Sequence, residues 1–92
     1  MKRTKEEILN ELASILSQLS SYRKDEIIDL VKFSEDTNLQ LAALVPSAHK
    51  DVLADEIVKK FNFLNQVALE DALFTDLKTV EAIINYIYEK QP

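Results

Sequence analysis

The sequence predicts an all-α fold: a four-helix bundle with a long first loop and a short third helix. Apolar residues recur three and four positions apart through most of the chain, which is the spacing of one helix face. No stretch shows an alternation of apolar and polar residues strong enough to favour a strand. The 92 residues are enough for one small core, so we expect residues 1–92 to form a single domain.

The first helix is predicted from about Thr4 to Leu19. Its start, Thr4-Lys5-Glu6-Glu7, has the pattern of a capping box, in which threonine and glutamate each bond the other's backbone N–H. Ser20 and Ser21 favour a turn and should end the helix. The apolar stripe of this helix consists of Ile8, Leu9, Leu12, Ile15, Leu16 and Leu19.

Two interpretations remain open for residues 22–36, because a short helix over residues 25–31 and a packed loop fit the closely spaced apolar residues almost equally well. Phe33 is expected to anchor this segment in the core. Residues 37–45 are mainly apolar and could add about two helical turns before Pro46, which cannot continue a helix.

The central helix is predicted from Ser47 to Phe61. Serine is among the best N-cap residues, because its hydroxyl accepts a hydrogen bond from an otherwise unpaired backbone N–H. The free N–H groups and the dipole of a helix start also favour negative charge, so a serine at this point suits a phosphate ester. The apolar stripe that follows consists of Leu53, Ala54, Ile57, Val58 and Phe61.

Two shorter elements complete the predicted bundle. Asn62 and Asn65 should supply the turn chemistry for which glycine is often used, and a short third helix should follow over residues 67–74. The last helix should begin at Thr79, with Glu81 placed favourably in its first turn. Its buried stripe should consist of Val80, Ile83, Ile84, Ile87 and Tyr88. Six residues are expected to meet in the core of the bundle: Leu12, Phe33, Ile57, Phe61, Val80 and Ile84.

Composition narrows the possible functions. Asp and Glu number 16 against 11 Lys and Arg, which argues against a dedicated nucleic-acid-binding protein. Cysteine is absent, so the chain has no thiolate metal site and no disulfide. Glycine is also absent, which excludes P-loops and dinucleotide-binding fingerprints. Without a signal peptide or an apolar run long enough to span a membrane, we expect a cytoplasmic protein that does not associate with membranes.

Over nearly its whole length the chain resembles the acyl carrier proteins. Phe33-Ser34-Glu35-Asp36 is similar to the family's Phe-x-Glu-Asp segment after the first loop. Ser47 and Phe61 lie fourteen positions apart, which matches the family's spacing between the carrier serine and the phenylalanine ending its helix. The strongest match is residues 77–87, which resemble the family's last helix with its leading Thr-Val and closing Tyr-Ile.

The chain also departs from the family pattern. Carriers usually show Gly-x-Asp-Ser-Leu around the modified serine, whereas this chain has Leu44-Val45-Pro46-Ser47-Ala48. The segments 36–47 and 61–79 are longer than usual. An alignment without the first insertion places Leu41 at the serine position, and on that alignment the domain has the carrier architecture without an attachment point.

The resemblance implies a carrier protein rather than an enzyme. It implies 4′-phosphopantetheine attached to Ser47, whose terminal thiol would hold an acyl or polyketide-type intermediate as a thioester in lipid or polyketide biosynthesis. The implied partners are a phosphopantetheinyl transferase and acyl-transferring or condensing enzymes, acting on a monomer. The alternative is a degenerate carrier-like bundle that lacks the arm and acts as a protein-interaction module, with Ser47 only an N-cap.

The resemblance further implies a partner surface on the polar side of the central helix. The acidic side of this helix meets basic patches of partner enzymes in carriers, although an ordinary solvated face with i,i+4 pairs Asp55–Lys59 and Glu56–Lys60 explains the same residues. A hydrolytic pair of Ser47 and His49 is not expected, because side chains two positions apart point to different faces. A metal site at this single histidine is not expected either. The candidate partner surface consists of His49, Lys50, Asp51, Asp55 and Glu56.

Overall fold

A computed structural model describes residues 2–33 and 39–92. For residues 32 and 33 it describes the helical backbone but not the side chains. The predicted all-α class is confirmed: the described residues form six α-helices and one 3-10 turn, and none of them belongs to a strand. In chain order, the elements are α1 (Lys5–Leu19), α2 (Lys24–Phe33), α3 (Leu41–Leu44), the 3-10 turn Ser47–His49, α4 (Lys50–Lys60), α5 (Gln66–Ala72) and α6 (Val80–Lys90).

The two additional helices lie in the segment for which the sequence left alternatives open. Residues 24–33 form α2, so the helical interpretation holds there, and Ile27 is completely buried. Residues 37–45 contribute only the single turn α3 among those described, less than the predicted two turns. The backbone N–H of Val45 still bonds the carbonyl of Leu41 at 2.9 Å, but Pro46 is extended and ends the helical path.

The capping box of α1 is confirmed in both halves. The Thr4 hydroxyl accepts a hydrogen bond from the Glu7 backbone N–H at 3.2 Å, and the Glu7 carboxylate accepts one from the Thr4 backbone N–H at 2.9 Å. These bonds hold the pKa of Glu7 below its ordinary value. Two donors that every helix start leaves without an intrahelical partner are satisfied in this way.

One continuous apolar cluster forms the core. Helix α1 packs against α2, α4 and α6, and α5 packs against α4. Five of the six predicted core residues are buried in this cluster, whereas the side chain of Phe33 and the segment Ser34-Glu35-Asp36 lie outside the described residues. The five confirmed core residues are Leu12, Ile57, Phe61, Val80 and Ile84.

A short backbone pairing joins the chain before α3 to the start of α6. Gln40 and Thr79 form an isolated antiparallel bridge. The N–H of Leu41 bonds the carbonyl of Lys78 at 2.8 Å, and the N–H of Val80 bonds that of Leu39 at 3.0 Å. This pairing fixes the position of α3, and therefore of the turn containing Ser47, relative to α6.

The third predicted helix is present as α5, but it ends earlier than expected. Asn65 caps it, accepting a bond from the Ala68 N–H at 3.0 Å, so the turn role expected for this asparagine is a helix start. The helix stops at Ala72, and Phe74 adopts a left-handed conformation with φ of 67°. Glycine usually occupies such a position because it has no Cβ. Since the chain contains no glycine, an aromatic residue accepts the strain here.

The end of α4 lies beside the two ends of the chain. The Gln91 side chain accepts a hydrogen bond from the Arg3 N–H at 2.7 Å and donates one to the Arg3 carbonyl at 3.1 Å. The guanidinium carbon of Arg3 lies 5.0 Å from the centre of the buried Phe61 ring. Tyr88, predicted to be buried in the α6 stripe, is instead exposed, with the Lys5 ammonium 5.2 Å from its ring centre. Position 88 is one residue beyond the buried Ile87 and turns away from the core.

Candidate functional site

The predicted role of Ser47 as the N-cap of the central helix is wrong. Pro46 holds the cap position of a 3-10 turn, and its carbonyl accepts the His49 N–H at 2.9 Å. The carbonyl of Ser47 accepts the N–H of Lys50, where α4 begins. His49 is the N-cap of α4 by position, without a side-chain capping bond. Pro46 fixes its own φ near the helical value, so the tighter turn starts one residue earlier than a serine cap would place it.

Ser47 is exposed and is the first residue of this turn. Among the described residues, its hydroxyl takes part in no hydrogen bond within the protein, whereas the Thr4 and Thr79 hydroxyls are both used as caps. Ser47 therefore offers an accessible hydroxyl at the start of a helical segment. Its neighbours Pro46 and Ala48 are also exposed, so the chain is accessible to solvent on both sides of Ser47.

His49, Lys50 and Asp51 are exposed and follow Ser47 directly. The two potential cations lie nearest the serine in sequence, and Asp51 occupies the first turn of α4, where the helix dipole favours a carboxylate. These three residues form a polar border beside the serine.

The next turns of α4 carry an ion-pair cluster that the sequence predicted in part. The Lys59 ammonium lies 3.1 Å from the Asp55 carboxylate, as the i,i+4 prediction required, and 3.5 Å from that of Glu56. The hydrogen bond to Asp55 is the main cause of a raised pKa for Lys59. The predicted partner of Glu56, Lys60, instead lies 3.8 Å from Glu11 of α1, because the packing of α4 on α1 brings these two side chains together.

Sequence reasoning did not single out Val52, although it lies within the candidate partner surface. Its side chain is 44% exposed, whereas the adjacent Leu53 and Ala54 are completely buried. The helical spacing puts Val52 on the same outward face as Asp55 and Glu56, three and four positions away. The only sequence signal was its position one residue before the predicted apolar stripe.

The burial of Glu81 was not predicted from the sequence. Glu81 lies in the first turn of α6, as expected, but both carboxylate oxygens are shielded from solvent and have no hydrogen-bond partner in residues 2–33 and 39–92. Desolvation raises the pKa of this carboxyl, and the backbone N–H groups of Glu81 and Leu39, which lie near it without the geometry of a full hydrogen bond, offset that rise only in part. Hydropathy periodicity places a residue on a face but does not show which neighbouring segment covers it.

The described part of the chain contains no group of three or more histidine, aspartate or glutamate side chains placed to hold a metal ion. Across residues 2–33 and 39–92, no helix has both the length and the apolar character required to cross a membrane. Comparison of the chain with protein-family models, with curated proteins and with solved structures finds no match.

Proposed function

We propose that this protein is a carrier that holds an acyl or polyketide-type intermediate as a thioester on a 4′-phosphopantetheine arm attached to Ser47. The observation that carries the proposal is the exposed Ser47 hydroxyl at the start of the segment leading into α4, used in no hydrogen bond within the described protein. The resemblance to acyl carrier proteins gives this serine its proposed role, and its spacing to Phe61 supports the same assignment.

The residues around Ser47 fit a phosphodiester. The first N–H groups of a helical segment lack intrahelical partners and favour an anion, and His49 and Lys50 add potential positive charge close by in sequence. The hydroxyl is accessible to a separate transferase, so the protein itself needs no general base to activate it. When attached, the arm would supply a terminal thiol that carries the acyl group.

In the proposed mechanism the protein's own role is to hold Ser47, and the arm attached to it, where partner enzymes can reach them. Leu53, Ile57 and Phe61 are completely buried and hold α4 against the bundle. The pairing of Leu39 and Gln40 with the start of α6 restrains the chain leading to Ser47. Ser47 therefore lies in an exposed turn that leads into a helix held against the bundle, where enzymes can reach it.

Intact-mass measurement tests this function. The protein is incubated with coenzyme A and several phosphopantetheinyl transferases, and the expected result is a single added phosphopantetheine group. Ser47→Ala should abolish the addition, whereas Ser21→Ala, which alters another exposed serine, should leave it unchanged. Pro46→Asp combined with Ala48→Leu restores the usual carrier context and should be modified at least as readily as the native protein.

The second candidate is an interaction module without the arm. It is favoured by Pro46-Ser47-Ala48 in place of the usual carrier context, and by the 3-10 geometry at Ser47. Absence of the mass increment in both the native and the restored proteins, with every transferase tried, would contradict the carrier function and favour this module. Modification of Ser47 in either protein would show that the site is accessible, and modification of the native protein would support the carrier.

A further inference from the structure

We infer that Glu81 makes the backbone pairing between residues 39–41 and residues 78–80 sensitive to pH. The pairing is closed while the Glu81 carboxyl is protonated, and it opens more readily once the carboxyl is ionised. Because this pairing restrains the chain that leads through α3 to Ser47, that chain should be held more firmly in acid than at neutral pH. The inference does not depend on the function proposed for Ser47.

The Glu81 carboxylate lies beside the pairing and is withdrawn from water. Glu81 directly follows Val80, whose N–H bonds the carbonyl of Leu39. Both carboxylate oxygens are shielded from solvent, and the backbone N–H groups of Leu39 and Glu81 lie near them without the geometry of a full hydrogen bond. A charge that is removed from water without hydrogen-bond partners costs free energy. The closed pairing therefore favours the protonated form of the carboxyl.

The residues that the structure describes around Glu81 supply no ion pair to offset this cost. None of the ion pairs in residues 2–33 and 39–92 includes Glu81. Residues 39–48 contain no ionisable side chain, and Lys78 is exposed, whereas Glu35 and Asp36 lie outside the described residues. Helix α1 packs against α6, and the other ionisable residues of these two helices are Lys5, Glu6, Glu7, Glu11, Tyr86, Tyr88, Glu89 and Lys90. Desolvation is the largest cause of the raised pKa of Glu81.

The pairing is small enough to open without unfolding of the whole bundle. It consists of one isolated antiparallel bridge and two hydrogen bonds, which the N–H groups of Leu41 and Val80 donate across it at 2.8 and 3.0 Å. An isolated two-stranded pairing is marginally stable in water. The side chains of Leu41 and Val80 are completely buried and favour the closed form, so the open form should be a minor population.

The direction of the pH effect follows from the exposure of Glu81 in the open form. In that form the carboxyl is hydrated and ionises at its ordinary pKa of 4.5, whereas burial raises its pKa in the closed form. Closure therefore has its full stability below pH 4.5 and loses stability as the pH rises through the raised pKa. Opening of the pairing should increase over that range, and it should not depend on pH when residue 81 cannot ionise.

Amide hydrogen exchange, measured by NMR and corrected for intrinsic exchange rates, tests the inference. In the native protein, protection of the Leu41 and Val80 amides should fall at least about threefold between about pH 4 and about pH 7, because their hydrogen bonds form the pairing. In Glu81→Gln, protection of both amides should stay within about twofold over the same range. Glu81→Ala also removes the ionisable group and should give the same result, so the test does not depend on glutamine being tolerated.

The matched control is Glu89→Gln, which removes an exposed carboxylate near the other end of the same helix. It should retain the pH dependence of the native protein at Leu41 and Val80. If that dependence persists in Glu81→Gln, another group causes it and the inference is wrong. At neutral pH, amides in the interior of α1 should be at least about tenfold more protected than those of Leu41 and Val80, because the pairing opens locally. Equal protection would show that the pairing opens only when the whole protein unfolds, which would also overturn the inference.

Carbon-13 chemical shifts of the side-chain carboxyl groups test the role of Glu81 directly. Its carboxyl should titrate above pH 4.5, and the loss of amide protection should level off above the pH at which it titrates. A Glu81 carboxyl that titrates at or below pH 4.5 would overturn the inference, as would protection that continues to fall well above its titration. No step of this test involves attachment of an arm, so its result is distinguishable from failure of the function proposed for Ser47.

Discussion

The helices α6 and α4 begin in different ways. At α6, the Thr79 hydroxyl accepts the N–H of Ala82 at 3.1 Å, so the side chain at the helix start is part of the fold. At α4, a 3-10 turn precedes the helix, and neither Pro46 nor His49 supplies a side-chain capping bond. Both starts contain a hydroxyl residue, Thr79 or Ser47, but only one of the two hydroxyls stabilises its helix.

A hydroxyl that stabilises a helix start is already used in a hydrogen bond, whereas one outside the cap is available for modification. A capping hydroxyl contributes about 1 kcal/mol, and altering it disturbs the helix. A hydroxyl outside the cap contributes little to folding and can carry a substituent without loss of a structural bond. The stability of α4 must then come from its buried stripe and from the anchoring of Phe61 at its end.

The largest predicted effect is at this anchor. Phe61→Ala should lower the free energy of unfolding by roughly 3–5 kcal/mol, because the ring is completely buried in the core and the truncation leaves a cavity. The total for such a domain is only about 5–15 kcal/mol, so this loss is a large part of it. Urea denaturation measures the loss.

The control for Phe61 is Val67→Ala, which removes apolar atoms from a side chain that is 70% exposed. Its free energy of unfolding should stay within about 0.5 kcal/mol of the native value. A Phe61→Ala protein as stable as this control would mean that α4 does not depend on its buried end. The uncapped start of α4 would then be stabilised by something other than Phe61.

The next effect concerns the capped start. Thr79→Ala should lower the free energy of unfolding by about 1 kcal/mol, because the N–H of Ala82 loses its hydrogen-bond partner. Thr79→Ser retains a hydroxyl and should recover most of the loss. Thermal and urea denaturation of the two variants measure the difference, and equal stability would show that the Thr79 hydroxyl is not a structural cap.

The sequence predicted the parts of the fold that depend on local patterning. The capping box at Thr4 and the helix start at Thr79 were both correct, because each depends on residues within one turn. The apolar faces of α1, α4 and α6 were largely correct for the same reason, although Leu19 and Val58 are only partly buried and Tyr88 is exposed. Hydrophobic periodicity is a property of a single helix and can be read without knowing its neighbours.

Features that depend on competition between neighbouring residues were not predicted. The N-cap assignment of Ser47 failed because serine propensity does not show that Pro46 begins a tighter turn first. The extension of the third helix to Phe74 failed because the chain reverses there without a glycine to mark the position. The pairing of Lys60 with Glu11 depends on how two distant helices pack. Whether Ser47 carries an arm stays a prediction from resemblance.

A smaller effect, of opposite sign at two helix starts, is expected from glutamates in the first turns. Burial raises the pKa of Glu81 above its ordinary value of 4.5, so its carboxylate is disfavoured in the folded protein. Its contribution to stability is complete below pH 4.5 and is lost as the pH rises through the raised folded pKa. Glu81→Gln should therefore be more stable than the native protein at neutral pH, with the gain vanishing in acid.

Glu7 is the matched control for Glu81. Its hydrogen bonds with Thr4 lower its pKa, so its contribution is present above the ordinary value of 4.5 and is lost as the pH falls through the lowered folded pKa. Glu7→Gln should reduce stability at neutral pH, and the reduction should also vanish in acid. Urea midpoints measured from acid to neutral pH check both variants, and changes of the same sign would contradict the assignment of opposite environments.

The smallest effect on stability is expected at Ser47. Because its hydroxyl caps no helix, Ser47→Ala should change the free energy of unfolding by no more than about 0.5 kcal/mol, less than Thr79→Ala. The same substitution should remove all attachment of the arm in the mass assay, so chemistry and folding are affected separately. A loss of about 1 kcal/mol or more in Ser47→Ala would instead indicate that the hydroxyl caps the helix in solution. The start of α4 would then be equivalent to that of α6, and the availability of Ser47 would no longer support a carrier.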